Sequence, residues 1–189
     1  MLRMIAGFVA LALALGTAQA GGFYVSTAFG WNVDGDSSIP FVNEESGIVG
    51  LAAVGTSIKS VPGLKAEFEV SFRSHDSTLG PFTLEHDTTA FMANARYHFQ
   101  DMGRFEPYVL VGAGMASTEL TFGGLAPLTV ENDGFAFQGG LGVDYRVSED
   151  VRVGVGYRYF EGPEVELFGT ELDGGSNHSV LASVTVDLN

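Results

Sequence analysis

Cysteine is absent from this 189-residue chain, so no disulfide framework braces it. Lysine and arginine total 9 against 23 acidic residues, a formal charge of −14. Phosphate backbones are held by Lys and Arg, so this balance argues against nucleic acid as a partner. Proline is sparse, and beyond the N-terminus no apolar run approaches the roughly 20 residues of a transmembrane helix. The one apolar run, Met4 to Leu15, follows Arg3 and precedes Ala18-Gln19-Ala20. A positive start, a short apolar stretch and Ala-x-Ala describe a secretory signal peptide. Cleavage is expected after Ala20, leaving 21–189 as a single domain.

What the chain does have is glycine, phenylalanine and alternation. From Gly134 to Phe160, Phe135, Phe137, Leu141, Val143, Tyr145 and Val147 alternate with Ala136, Gln138, Gly140, Gly142, Asp144 and Arg146. Past Ser148-Glu149-Asp150 the pattern restarts, with Val151, Val153, Val155, Tyr157 and Tyr159 against Arg152, Gly154, Gly156 and Arg158. A period of two in two runs joined by a short polar turn is a β-hairpin.

The same alternation recurs along the rest of the chain. It starts at Phe23–Trp31, is ambiguous in register over 47–56, and is clean over 64–73, 89–99 and 107–116. The last run, 179–189, closes the chain. Polar, Gly- and Asp-containing segments at about 32–46, 75–87, 117–133 and 161–177 are expected as long loops, and the intervening connections are short. Long and short connections therefore alternate. The expectation is an all-β, eight-stranded antiparallel up-and-down transmembrane β-barrel with both termini at the short-turn end.

A lipocalin-type soluble barrel shares this topology but is apolar inside and polar outside. Three features favour the inverse. Glycine crowds the polar face at Gly112, Gly114, Gly140, Gly142, Gly154 and Gly156, as a narrow packed interior requires. Aromatic residues of the apolar face gather near strand ends, as in an interfacial girdle. The charges also partition: Lys65, Glu67, Glu69, Arg73, Arg96, Asp144, Arg146, Arg152 and Arg158 share the polar face as a lumen charge network. With Asp187 beside them the two signs are brought near balance, as pairing in a narrow interior requires. Glu67 and Glu69 are expected to pair with Arg96. Asp144 is expected to pair with Arg146, Arg152 and Arg158. The four long loops contain no Lys or Arg, so one rim carries most of the negative charge.

With these patterns in place, the chain resembles the small eight-stranded outer-membrane barrels of Gram-negative bacteria, the OmpA-like, OmpX-like and opacity-type surface proteins. The residues that carry the resemblance are Met92-Ala93-Asn94-Ala95-Arg96-Tyr97, Pro107-Tyr108-Val109 with Gly112 and Gly114, Phe137 to Arg146, and Gly156-Tyr157-Arg158-Tyr159-Phe160. The resemblance implies an outer-membrane location, insertion by the barrel assembly machinery, and a structural or surface-interaction role. Such barrels usually end on an aromatic residue; here Leu188 stands at the matching outward position. A few related barrels modify lipids.

Catalysis needs a nucleophile, a base in hydrogen-bond reach and an orienting acid. The one adjacent pair, His178-Ser179, lies on a strand, where neighbours face opposite ways. No enzyme and no cofactor are therefore expected. His75-Asp76 and His86-Asp87 could meet across a hairpin as metal ligands, but a solvated loop base is the simpler reading. An eight-stranded barrel fills its own interior, so general pore activity is not expected. The expected partners are outer-membrane lipid and lipopolysaccharide, with divalent cations bridging the rim acids to lipopolysaccharide phosphates. No motif names a surface ligand.

Overall fold

The computed structural model describes residues 20–34, 43–44, 47–79, 82–100, 102–122, 128–163, 165–167, 170–172 and 176–188. Eight strands form the wall: β1 Ala20–Asp34, β2 Ile48–Ile58, β3 Leu64–Leu79, β4 Phe82–His98, β5 Phe105–Phe122, β6 Leu128–Arg146, β7 Val151–Glu161 and β8 Ser176–Leu188. Each pairs antiparallel with its neighbours in sequence, and β1 pairs with β8 to close the barrel. Closure removes every sheet edge at the height where all eight strands are present. The expected signal peptide lies outside the described residues, except that Ala20 already belongs to β1.

Alternation places one parity inside on every strand. On β1, Tyr24, Ser26 and Ala28 are buried while Phe23, Val25, Phe29 and Trp31 are exposed. The register left open for β2 is settled by its neighbours. Leu51 is the partner of Ala28, and Val49, Leu51 and Ala53 turn inward, leaving Ile48 and Val54 outside. Val49 and Leu51 pack there with Ala28 and Leu181 in an apolar cluster. The outward face is a continuous apolar coat that includes Val111, Phe135, Leu141 and Val155.

Aromatic residues band this coat at two heights. Phe23, Tyr97, Phe99, Phe105 and Tyr145 lie towards the short-turn end, with Tyr97–Phe99 and Phe105–Tyr145 ring centroids 5.3 and 5.1 Å apart. Phe29 and Trp31 pack edge-on at 6.4 Å near the opposite end. From Phe23 to Trp31 the strand climbs about 27 Å at ~3.4 Å per residue, or roughly 20 Å of height once tilted by about 40°. That is close to the apolar band of a membrane barrel.

The short-turn end is tightly made. Gly63 and Gly103 take φ of 87° and 70° in the β2–β3 and β4–β5 turns, a conformation that side chains resist. The β6–β7 turn closes through Val147 N–H to Val151 O at 2.9 Å, with the Ser148 hydroxyl accepting from Val151 N–H at 3.1 Å.

The other end departs from expectation. Segments 75–87 and 117–133, expected as loops, are mostly strand. The β3–β4 ladder runs to Leu79 opposite Phe82, and the β5–β6 ladder to Phe122 opposite Leu128. Strands β3 to β6 thus have 16 to 19 residues, whereas β7 has 11 and β8 has 13. About ten residues suffice to cross a bilayer, so one half of the wall stands well above the other. Asn43–Glu44 lines the free side of upper β3, opposite Thr78 and Ser77. Val165–Leu167 and Thr170–Leu172 form a small separate ribbon.

Candidate functional site in the barrel lumen

The inward parity assembles charged layers stacked along the lumen. At the centre, Glu69 is wholly buried. Its Oε2 accepts from Arg158 Nη1 at 2.5 Å and from Asn94 Nδ2 at 3.0 Å, and its Oε1 accepts from Gln138 Nε2 at 3.2 Å. Gln138 Nε2 also donates to Asn94 Oδ1 at 2.6 Å. Four strands thus converge on one carboxylate. A buried anion is tolerable only with its lone pairs filled and a counter-charge at hand.

One layer towards the short-turn end, Glu67 accepts from the Tyr24 hydroxyl at 2.7 Å. Arg96 Nε lies 3.0 Å from Glu67 Oε1, yet no hydrogen bond is formed by that nitrogen, so the contact is one of charge. The Arg96 guanidinium lies over the Tyr108 ring at 4.4 Å and 3.7 Å from Asp144. Asp144 Oδ2 also lies 2.9 Å from His98 Nε2, which must donate because the carboxylate only accepts. Tyr108 lies along the inner wall over its ladder partner Gly142 and over Gly156 on the next strand; a Cβ at Gly142 would stand 2.6 Å from its hydroxyl oxygen. This close approach is the reason for glycine there.

Towards the tall end, Arg73 lies over the Phe160 ring at 3.7 Å and donates to Ser71 Oγ at 2.7 Å. Ala90, Met92, Ala116, Ala136 and Phe160 pack as an apolar layer at this level. Beside them Ser179 Oγ is 2.9 Å from both Asn32 Oδ1 and Asn177 Oδ1.

The nine expected network residues fare differently. Glu67, Glu69, Arg73, Arg96, Asp144, Arg152 and Arg158 are buried inside. Lys65 is half-buried at the short-turn mouth, its Nζ 4.9 Å from the centre of the Tyr24 ring. Arg146 is a correction: its side chain is 49% exposed and is bound to Glu106. It shares the parity of Asp144 but is the last residue of β6, where the wall stops and water begins. The expected partners are also redistributed. Arg96 takes Glu67 but not Glu69, which pairs across the lumen with Arg158. Arg152 turns to Asp187 at 2.7 Å, with Glu106 at 3.9 Å. Arg96–Glu67 and Arg152–Asp187 stay between neighbouring strands, whereas the long Arg158 arm crosses the narrow tube to the opposite wall.

The layers also recruit Tyr24, Asn94, His98, Glu106, Tyr108 and Gln138, none of which belonged to the expected network. All but Glu106 are buried and hydrogen-bonded or stacked within it. Their signal was parity: Asn94 and His98 flank Arg96 at two-residue spacing, and Gln138 is on the face of Asp144.

His178 and Ser179 turn to opposite sides of the wall. Ser179 is buried among Asn32 and Asn177, whereas His178 lies outside, hydrogen-bonded to the Tyr157 hydroxyl. His75 and His86 are direct ladder partners, in strand rather than in a loop. Among the described residues no cluster of three or more His, Cys, Asp or Glu is placed to hold a metal.

Comparison with known proteins gives a consistent picture. The model of the outer membrane protein beta-barrel domain matches residues 2–186. Outer membrane protein PagN of Salmonella typhimurium is 28% identical over 86 residues, covering 42% of this chain and only 36% of PagN. The crystal structure of Neisserial surface protein A superimposes with a TM-score of 0.64 at 20% identity, covering 89% of this chain and 99% of that one. Ail, the attachment invasion locus protein of Yersinia pestis, superimposes at 0.52 with 8% identity, covering 89% and 100%. At such identities these structures share the fold.

Proposed function

The chain belongs to the outer membrane protein β-barrel domain family, and from that premise we propose that it is a sealed, non-catalytic surface protein that works through its acidic outer rim. The observation that carries this reading is charge segregation. Segments 32–46, 75–87, 117–133 and 161–177 hold no Lys or Arg, yet they include Glu44, Asp87, Glu119, Glu131, Asp133 and Glu161. The lumen supports sealing, because its charged groups are spent on one another around Glu69 and Asp144. Catalysis is disfavoured by the separation of His178 from Ser179 across the wall.

The rim also bears on ligand class. Ail has been crystallised with the heparin analogue sucrose octasulfate, a polyanion. A rim without cations offers such a ligand no counter-charge. Divalent cations resolve the same problem for lipopolysaccharide phosphates, since carboxylates and phosphates are both hard oxygen donors for calcium or magnesium. In this reading the rim acids anchor the protein among its lipopolysaccharide neighbours and contribute to envelope integrity.

Co-purification of lipopolysaccharide with the barrel tests this, with and without chelator. Chelation should release lipopolysaccharide, and a Glu119→Gln, Glu131→Gln, Asp133→Asn triple variant should retain less of it before chelation. Equal retention in all four samples would sink the proposal. In planar bilayers the protein should pass no stepwise current; sustained open steps would refute the sealed lumen.

A further inference from the structure

The short-turn mouth carries chemistry that neither the sealed lumen nor the acidic rim uses. Below the Glu67 layer the barrel opens into a cavity of about 780 Å³, walled by the β2–β3 and β4–β5 turns and the foot of β8. In a chain of net charge −14, its lining carries Lys59, Lys65, Arg146 and Arg152 against Glu106, Glu149 and Asp187. Pairing leaves the size of this excess unchanged but concentrates it on the two lysines. Glu106 is bound to Arg146, and Asp187 is bound to Arg152 at 2.7 Å, so two acids and two arginines offset one another, leaving Lys59 and Lys65 against Glu149. Glu149 stands in water on the β6–β7 turn. Lys65 and Lys59 have no ion-pair partner among the described residues. Arg152, though buried, keeps its Nε without a hydrogen bond.

We propose that this mouth is a phosphate-binding site, in which Lys65 supplies the principal charge, Arg152 Nε a directed N–H and Lys59 an outer contact. Tyr24 holds the Lys65 ammonium through its ring face at 4.9 Å, a contact that leaves the N–H donors free to turn into the cavity. An ammonium with unspent donors beside a guanidinium N–H is a recurring means of holding phosphate oxygens. The volume is far more than one phosphate fills and lies within the usual range for small-ligand sites. The bound group is therefore the phosphate end of a larger molecule, either a phospholipid headgroup at the membrane surface or a soluble phosphorylated compound.

Amide spectra of the isotope-labelled full barrel in nanodiscs test the site and separate the two sources. In phosphatidylcholine nanodiscs, inorganic phosphate is titrated at constant ionic strength. Saturable shifts at Gly63, Lys65 and His98 identify a site open to soluble phosphate. The same shifts appearing in phosphatidylglycerol nanodiscs before phosphate is added, and not in phosphatidylcholine, identify the headgroup. Lys65→Gln should weaken whichever response is seen about tenfold, as expected for losing one charged hydrogen bond. Lys59→Gln, on the exposed turn, should weaken it less and guards against a folding defect at position 65. Absence of shifts in both nanodisc types would overturn the proposal. So would an unchanged response in folded Lys65→Gln.

Discussion

Two arginine–carboxylate pairs in this barrel live under opposite conditions. Arg158 and Glu69 meet at 2.5 Å with side chains 4% and 0% exposed, while Arg146 and Glu106 meet at the mouth with Arg146 half in water. The same chemistry has different energetic meaning in the two places. At the mouth, water solvates Arg146 if its partner is lost, Glu106 keeps Arg152 Nε 3.9 Å away, and side-chain entropy offsets most of the attraction. In the lumen nothing replaces a missing partner, so each charge is tolerated only because the other is present. The lumen pair is thus better understood as mutual dependence than as added stability.

The largest test of this contrast is to remove one central partner. Arg158→Ala leaves Glu69 with two amide donors and only Arg73, which makes no salt bridge to it, as counter-charge, and should cost roughly 3–5 kcal/mol. The check is the unfolding temperature of the refolded barrel in detergent. In a double-mutant cycle, Arg158→Ala with Glu69→Ala should cost less than the two single changes added together. Strict additivity would mean that the lumen is wet.

Next in size is a steric version of the same dependence. Gly142→Leu puts a side chain where the Tyr108 ring lies over the inner wall, and overpacking typically costs about 1–3 kcal/mol. Tyr108→Ala in the same chain should relieve part of that loss. If Gly142→Leu is neutral by thermal unfolding, Tyr108 does not fill the lumen at that level.

The sequence made the contrast between faces legible because membrane height imposes it. Wherever one side of a strand meets lipid and the other a narrow interior, side chains must alternate, and Phe68, Glu69 and Val70 do so visibly. Above that height both sides of a strand meet water and the alternation disappears. This is why Glu119 and Thr121 resembled loop residues although they lie in β5. Partners within the lumen were hidden for another reason. Parity says that Glu69 and Arg158 point inward, but only barrel closure brings β3 and β7 face to face. Arg146 shows the limit of parity itself, which assigns a side but not a depth.

The smallest effects belong to the two ends. Arg146→Ala should lower stability by less than about 1 kcal/mol, since its partner Glu106 retains Arg152 nearby and water does the rest. Salt sharpens the contrast. Raising ionic strength screens an exposed pair far more than a buried one, so the small loss from Arg146→Ala should fade in high salt while that from Arg158→Ala persists. Glu131→Gln on the tall wall, where the Ser117 hydroxyl donates to Glu131 Oε1 at 3.3 Å in the open, should leave the unfolding temperature unchanged at every salt concentration. A measurable loss there would mean that the upper β5–β6 ladder depends on its charges for its fold, and that the acidic rim is more than a surface for meeting other molecules.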